Sequence, residues 1–373
     1  MYGCFCINRR KYDLVRLLFC CFVIMQDDLV PLLCCPLSTE KLSLAVVERY
    51  IHPITKLDEV KSGYMLTENG GCYPIINGIP RMLPESMEMY ASELGQWFPG
   101  FETVRKRILV QHGVIIKESA ARNKKIQDTF GFEWNLLRKS HDLKIWNMDA
   151  EQFRNQLVKE LKLPAGYKAC LSLDAGCGHG RSARLMATFV DQVVGAEVSS
   201  AVELAYEQND AANCHFIQAD VHSLPFPDQE FDLVYSSGVL HHNPSTRQAF
   251  NKLSKLVKPG AIVSVWLYHP FKNVLHQMMC MYRRVSTRIP VRSVYYLNAI
   301  TITPLQWLLS QVRGKKKKWT EIAIEQLDIL TPAYRHEHTV EEVTNWMMGS
   351  FKNIEVTDSD NFGFSIMAEK LPA

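Results

Sequence analysis

Leu171-Ser172-Leu173-Asp174-Ala175-Gly176-Cys177-Gly178-His179-Gly180 decides how this chain folds. The apolar run at 169–174 has the length of a strand and passes directly into three glycines at alternate positions. Glycine at such a bend permits a tight turn and lets the backbone approach a bound group closely. By itself the loop is a weak signal, because many strand-to-helix turns carry two glycines. The downstream spacing strengthens it. Val193-Val194-Gly195-Ala196-Glu197 closes a second apolar run on an acid, and His215-Phe216-Ile217-Gln218-Ala219-Asp220 closes a third. Asp174, Glu197 and Asp220 stand 23 residues apart.

Working outward, apolar runs at 169–174, 192–197, 215–219, 231–236 and 262–268 alternate with helical stretches. Strands alternating with helices predict a parallel sheet covered on both faces, an α/β fold. Short strands at 352–357 and 362–368 follow, after an amphipathic helix at 339–350. In such a sheet the acidic strand ends face one crevice. An acid after the second strand can accept from both hydroxyls of a ribose. One after the third can accept from an adenine amino group.

Four segments in order carry a resemblance. Leu173-Asp174-Ala175-Gly176-Cys177-Gly178-His179-Gly180 resembles the first motif of the class I methyltransferases. Ala219-Asp220-Val221-His222-Ser223-Leu224-Pro225-Phe226 resembles their adenine-edge motif. Phe231-Asp232-Leu233-Val234-Tyr235-Ser236-Ser237-Gly238-Val239-Leu240-His241-His242 resembles their strand-four segment. Leu256-Val257-Lys258-Pro259-Gly260-Ala261 resembles the turn before strand five. A nicotinamide dehydrogenase would place glycine where Arg181 stands.

The resemblance implies a doubly wound, Rossmann-like, seven-stranded methyltransferase sheet with S-adenosylmethionine as cofactor. It implies that the backbone of Gly176, Gly178 and Gly180 lies along the methionine part and that Asp174 helps hold its amino group. Glu197 would bind the ribose. Asp220 and the Val221 backbone would bind adenine, and Ser237 would join the cofactor-binding set. Methyl transfer is an in-line displacement, so the protein must chiefly position the nucleophile and exclude water. A hydroxyl or phenol nucleophile also needs a general base. His241 and His242, beyond the fourth strand, are the first candidates. Tyr268 and His269 are weaker ones, and Arg335, His336 and His338 could line the mouth of the site but read first as an exposed loop. Phe130-Gly131-Phe132-Glu133-Trp134 could cover the cofactor or the substrate, or simply pack a helix.

The flanks read separately. Residues 1–28 form an expected disordered extension, in which Arg9, Arg10 and Lys11 precede an interrupted apolar stretch at 14–25. That stretch is too short to span a bilayer, and Met25 is a plausible alternative start. Through Leu32-Leu33-Cys34-Cys35-Pro36 and Tyr73-Pro74-Ile75-Ile76-Asn77-Gly78-Ile79-Pro80, residues 29–85 resemble the small zinc-ribbon-like activator of tRNA methyltransferases. Asn77-Gly78 marks a tight hairpin turn there. Cys34, Cys35 and Cys72 make a poor tetrahedral set, so a module without a metal is expected. Residues 86–165 read as mainly helical. The methyltransferase domain follows over 166–373, interrupted at 270–330 by a helical insertion that caps it. Residues 270–320 hold ten Lys or Arg and no Asp or Glu. This basic stretch suits a lid over an anionic or lipid-linked acceptor, with membrane-surface contact.

The 373 residues carry a net charge of +3, which by itself demands no nucleic-acid partner. Eleven cysteines at irregular spacing argue against a disulfide framework and for a reducing, cytoplasmic setting, with membrane association through the insertion. The expected function is methylation of a small or lipid-linked metabolite at oxygen or carbon. A tRNA or protein methyltransferase is the alternative. No Asn-Pro-Pro-Tyr-type segment follows the fourth apolar run. A non-catalytic cofactor-binding scaffold is the second alternative.

Overall fold

The computed structural model describes residues 28–138, 148–270 and 274–372. Apart from Asp28, the expected N-terminal extension lies outside them.

Near the N-terminus, β1 (Ser43–Ile51), β2 (Asp58–Leu66), β3 (Cys72–Ile76) and β4 (Ile79–Pro80) form an antiparallel sheet in chain order. Asn77 and Gly78 both adopt positive φ, 52° and 82°. That is the two-residue hairpin whose twist matches its strands. Val60, Met65, Tyr73 and Ile75 join Leu29 and Leu33 in the core. Cys34, Cys35 and Cys72 are free and buried, and Cys35 Sγ lies 3.1 Å from Tyr73 Oη. Burial pushes the Cys34 thiol up to about 11 and Cys72 to about 12.

Four helices follow: α1 (Ser86–Met89), α2 (Ala91–Trp97), α3 (Phe101–Arg138) and α4 (Ala150–Leu161). At 1.5 Å per residue α3 is about 57 Å long, long enough to reach from the small sheet across the main one. Asp149 accepts from Gln152 N while the Gln152 side chain accepts from Asp149 N, a reciprocal cap that fixes the start of α4.

The main sheet holds β5 (Leu171–Ala175), β6 (Gln192–Glu197), β7 (Cys214–Gln218), β8 (Phe231–Ser237), β9 (Val257–Tyr268), β10 (Phe351–Ser359) and β11 (Gly363–Lys370). Their order is β10-β11-β9-β8-β5-β6-β7. Strands β7, β6, β5, β8 and β9 are parallel, and β11 runs antiparallel to β9. Every residue of β5 and of β7 is buried, as strands covered on both faces must be. The crossovers are α5 (Arg181–Met186), α6 (Ala201–Glu207) and α7 (Thr246–Leu256). Ser245 caps α7, which buries Ala249, Phe250, Leu253 and Leu256 at helical spacing. The chain winds outward from β5 through β6 to β7, then restarts at β8 on the other side. A crevice opens at that reversal, beyond the carboxyl ends of the strands.

Three local expectations need correction. The first parallel strand covers 171–175 rather than 169–174, and Asp220 stands two residues beyond β7 in the following loop. Lys258-Pro259-Gly260 is not a turn before the fifth strand. Val257 pairs with Phe231 and Ile262 with Leu233, so residues 258–261 bulge within β9. A bulge tolerates Pro259, which has no N–H for the ladder.

The small sheet is locked to the main one. Arg81, 2% exposed, donates to Gln218 Oε1 at 3.2 Å, and Met82 N donates to Gln218 O at 2.7 Å. Tyr206 of α6 donates to the buried Glu59 of β2.

The insertion forms α8 (Val274–Ser286), α9 (Val291–Ile300), α10 (Ile302–Val312) and α11 (Trp319–Leu330), and α12 (Val340–Met347) follows. Helix α11 buries Ile322, Ala323, Ile324, Leu327 and Leu330, and it packs against α3, α8, α9 and α10. The large apolar faces expected here are present, but on α10 they point outward. Leu305, Leu308, Leu309 and Val312 are all exposed. Each such side chain would gain about 1.5–3 kcal/mol by leaving water.

Candidate functional site

The glycine loop starts where β5 ends. Gly176 has φ 82°, and a side chain there would collide with Val239 at 2.3 Å. This position therefore admits glycine alone, and the requirement presses the segment after β8 against the loop. Gly180, at φ 78° and 2.6 Å from Phe216 by the same measure, opens α5 under equal constraint. Gly178 N donates to Glu197 Oε2 at 3.1 Å, and Ser199 N donates to Glu197 Oε1 at 2.8 Å. Glu197 thus holds the loop as well as facing the crevice.

The three acids differ in environment. Asp174 is 2% exposed, and its Oδ2 has no hydrogen-bond partner among the described residues. Burial first, and the neighbouring Glu197 second, push its carboxyl up to about 8. A cationic group in the crevice would reverse that shift, since an opposite charge favours the ionised form. Burial also raises the Glu197 pKa, against the hydrogen bonds it accepts from Ser199 and Gly178. Asp220 Oδ1 accepts from His222 N at 3.0 Å, and Oδ2 accepts from Arg122 of α3 at 2.5 Å. Arg122 thus already occupies one oxygen of Asp220. A carboxylate has about four lone-pair sites, so capacity remains. Val221 is buried beside Asp220. Ser237 stands half-buried at the end of β8.

The aromatic segment at 130–134 lies on α3 above this loop. Trp134 covers Gly178, 3.0 Å from the position a side chain there would take, and stacks on His179 at 4.7 Å between ring centroids. Phe130, one turn earlier, lies 5.3 Å from the ring of His242. One turn of α3 thus touches both the glycine loop and the histidine pair.

His241 and His242 form a single buried turn, Leu240–His242, directly after β8. His242 Nδ1 lies 2.9 Å from Tyr334 O. A carbonyl can only accept, so Nδ1 carries the proton and Nε2 keeps its lone pair. That Nε2 has no partner among the described residues, nor does either ring nitrogen of His241. Burial lowers the His242 pKa to about 3 and takes His241 well below the ordinary value. The His241 ring lies 4.0 Å from Tyr268 and 5.8 Å from Trp266. Tyr268 donates to Asp328 Oδ2 at 3.1 Å, and the Arg335 guanidinium lies 4.2 Å over the Tyr268 ring.

Arg335, His336 and His338 are therefore not an exposed loop. All three are half-buried, because His336 N donates to His241 O and His338 N donates to Tyr268 O. His269 turns away and contacts the carbonyls of Pro270 and Asp360. Glu133 is buried with Oε2 unpartnered among the described residues, and burial raises its pKa well above the carboxylate range. Burial raises the Asp328 pKa too. Neither acid was a site candidate from the sequence. The available signal was an acid set within apolar neighbours, Phe132-Glu133-Trp134 and Leu327-Asp328-Ile329.

A doubly wound sheet with a glycine turn, three acids at its carboxyl edge and a covering aromatic helix defines a nucleotide-cofactor domain. The comparisons make that class specific. Residues 173–265 match the family profile described as a methyltransferase domain. That stretch is a methyltransferase domain, and S-adenosylmethionine is the cofactor of such domains. The chain is 33% identical over 112 residues to 27-O-demethylrifamycin SV methyltransferase of Amycolatopsis mediterranei, covering 28% of this chain and 40% of that protein. It is 33% identical over 100 residues to a sterol 24-C-methyltransferase of Gibberella zeae, covering 25% and 26%. The chain thus spans less than half the length of either relative. Magnesium protoporphyrin IX methyltransferase of Synechocystis aligns at TM-score 0.42 and 15% identity over 67% of this chain and 99% of that one.

Proposed function

We propose that this protein transfers a methyl group from S-adenosylmethionine to an oxygen or carbon of a small or lipid-linked metabolite. The carrying observation is the juxtaposition of the glycine loop with His242, whose Nε2 is deprotonated, buried and without a partner among the described residues. When bound, S-adenosylmethionine supplies a methyl already activated for displacement. Asp174, with an unpartnered oxygen, suits its amino group, and Glu197 suits the ribose. Asp220 and the Val221 backbone suit the adenine once Arg122 yields.

The rest of the work falls to the chain. Val239 against Gly176 fixes the distance between the loop and the histidine turn. Tyr334 O holds the His242 tautomer, so Nε2 can take a proton from an acceptor hydroxyl or an acidic carbon as the methyl is transferred. Trp134 and Phe130 exclude water from above. His241, Tyr268, Asp328 and Arg335 line the acceptor side and offer hydrogen bonds to a polar head. The test is a metabolite screen that reads release of S-adenosylhomocysteine, with His242→Ala as control. Release that depends on an acceptor and falls in the variant supports the reading. Undiminished release in His242→Ala refutes the role of that residue.

A further inference from the structure

The helical cap has inverted polarity. Helix α10 buries Thr303 and Ser310 and exposes Leu305, Leu308, Leu309 and Val312, the last 78% exposed. The exposed four fall at i, i+3, i+4 and i+7, one face of a helix. Helix α9 buries Val294 and Asn298 and exposes Tyr296, Leu297 and Ile300. Helix α8 exposes Val274, Met278, Met281 and Val285, again along one face. The seams within the cap are correspondingly polar. Thr303 Oγ1 donates to Gln326 Oε1 at 2.9 Å, Gln326 Nε2 to Gln306 Oε1 at 2.8 Å, and Tyr282 Oη to Asn298 Oδ1 at 2.7 Å. A helix packed in water shows the opposite arrangement, apolar inside and polar outside. Three helices that turn aliphatic faces away from their shared partner α11 are shaped for an apolar surrounding on the outer side.

Charge selects which surrounding. Residues 270–320 contain ten Lys or Arg and no acid. Arg284 and Arg288 border the α8 stripe near its end, and Arg313, Lys315 and Lys316 follow the α10 stripe; all five are exposed. Basic side chains beside an apolar face rest their stems on hydrocarbon and reach outward to phosphate. A second copy seated on this face would bring its own Arg284, Arg288, Arg313, Lys315 and Lys316 against the same five, so self-association is opposed by charge. No helix among the described residues is long and apolar enough to cross a membrane, so the face would lie on a bilayer rather than span it.

We propose that α8, α9 and α10 dock the protein on an anionic lipid bilayer, with the aliphatic stripes in the interface and the arginines and lysines on the phosphates. This binding does not rest on the methyltransferase reading. If both hold, the site works at a bilayer surface, which suits a lipid-linked acceptor.

The test uses the full chain and vesicle co-sedimentation, comparing phosphatidylcholine mixed with phosphatidylglycerol against phosphatidylcholine alone. Partition onto the anionic vesicles should be stronger by on the order of tenfold or more, and should weaken with salt. The double variant Leu308→Glu/Leu309→Glu should lose more than tenfold of that partition while its circular dichroism stays that of the parent. If that variant fails to fold, Lys315→Glu/Lys316→Glu, on an exposed loop, carries the test and should lose binding to anionic vesicles selectively. Absence of parental binding, or equal partition onto both vesicle types, overturns the proposal. So does a lipid-independent dimer, seen by analytical ultracentrifugation, that Leu308→Glu/Leu309→Glu abolishes; the occupant would then be a second copy.

Discussion

At the carboxyl edge of the sheet most polar groups are few and fixed. Of the three acids, Glu197 accepts from two backbone N–H groups, Asp220 holds Arg122 and His222 N, and Asp174 keeps one oxygen without a partner among the described residues; beside them His179 Nδ1, His222 Nε2 and Ser223 Oγ are also unpartnered. Beneath the cap, polar atoms crowd together with few bonds. His241 has none on either ring nitrogen, while His242, Glu133, Arg335 and His336 each keep one unpartnered atom among the described residues. Buried polar groups are nearly always hydrogen-bonded, so a cluster of exceptions points to a group that belongs there. The first region is prepared for a ligand of fixed shape. The second holds its donors and acceptors in reserve for an acceptor whose shape the sheet does not dictate.

The largest effect expected on this contrast comes from the cap side. His242→Ala should lower turnover by about 10²–10⁴-fold with little change in cofactor affinity, measured as S-adenosylhomocysteine release at saturating cofactor. Because burial holds His242 neutral down to about pH 3, the pH profile of kcat should show no loss of activity through the usual histidine range. A limb near pH 6.5 that vanishes in His242→Ala would break the assignment.

On the cofactor side the effects should be smaller. Arg122→Ala removes a competitor for Asp220 Oδ2. Cofactor binding should tighten by roughly three- to tenfold, the worth of about one hydrogen bond, as read by calorimetry. Weaker binding would instead make Arg122 part of the adenine site.

The smallest effect should be on stability. The Asp174 carboxyl stays protonated in the fold to about pH 8, whereas its ordinary value is 3.8. The native state therefore binds the extra proton, and stability is lost as pH rises through that window. Asp174→Asn cannot ionise, so without cofactor it should melt roughly 2–5 °C above the parent at pH 8 and level with it at pH 4. Equal melting at both values would mean that Asp174 is not held protonated.

These two regions also differ in how legible they were. Asp174, Gly176, Gly178, Gly180, Glu197 and Asp220 sit at fixed intervals because strands of five or six residues, short crossovers and one crevice leave little freedom. Strand alternation likewise announced the seven-stranded sheet. The bulge at 258–261 read as a turn because Pro and Gly signal both, and only pairing with β8 separates them. Arg122 comes to Asp220 from a helix 98 residues away, Asp328 comes to Tyr268 from one 60 residues away, and Glu133 arrives on the same long helix as Arg122. No local pattern states such a meeting. The outward direction of the α10 aliphatics was hidden for a related reason. Helical spacing gives a face but not the side on which its partner lies.

The central claim is that the three-acid edge holds S-adenosylmethionine. Titration calorimetry with S-adenosylmethionine on the parent and on Glu197→Ala tests it most directly. We predict a single-site isotherm for the parent and affinity lower by on the order of 100-fold in the variant, the loss of two charge-assisted hydrogen bonds. No heat from the parent, or undiminished affinity in Glu197→Ala with its fold intact, would contradict it.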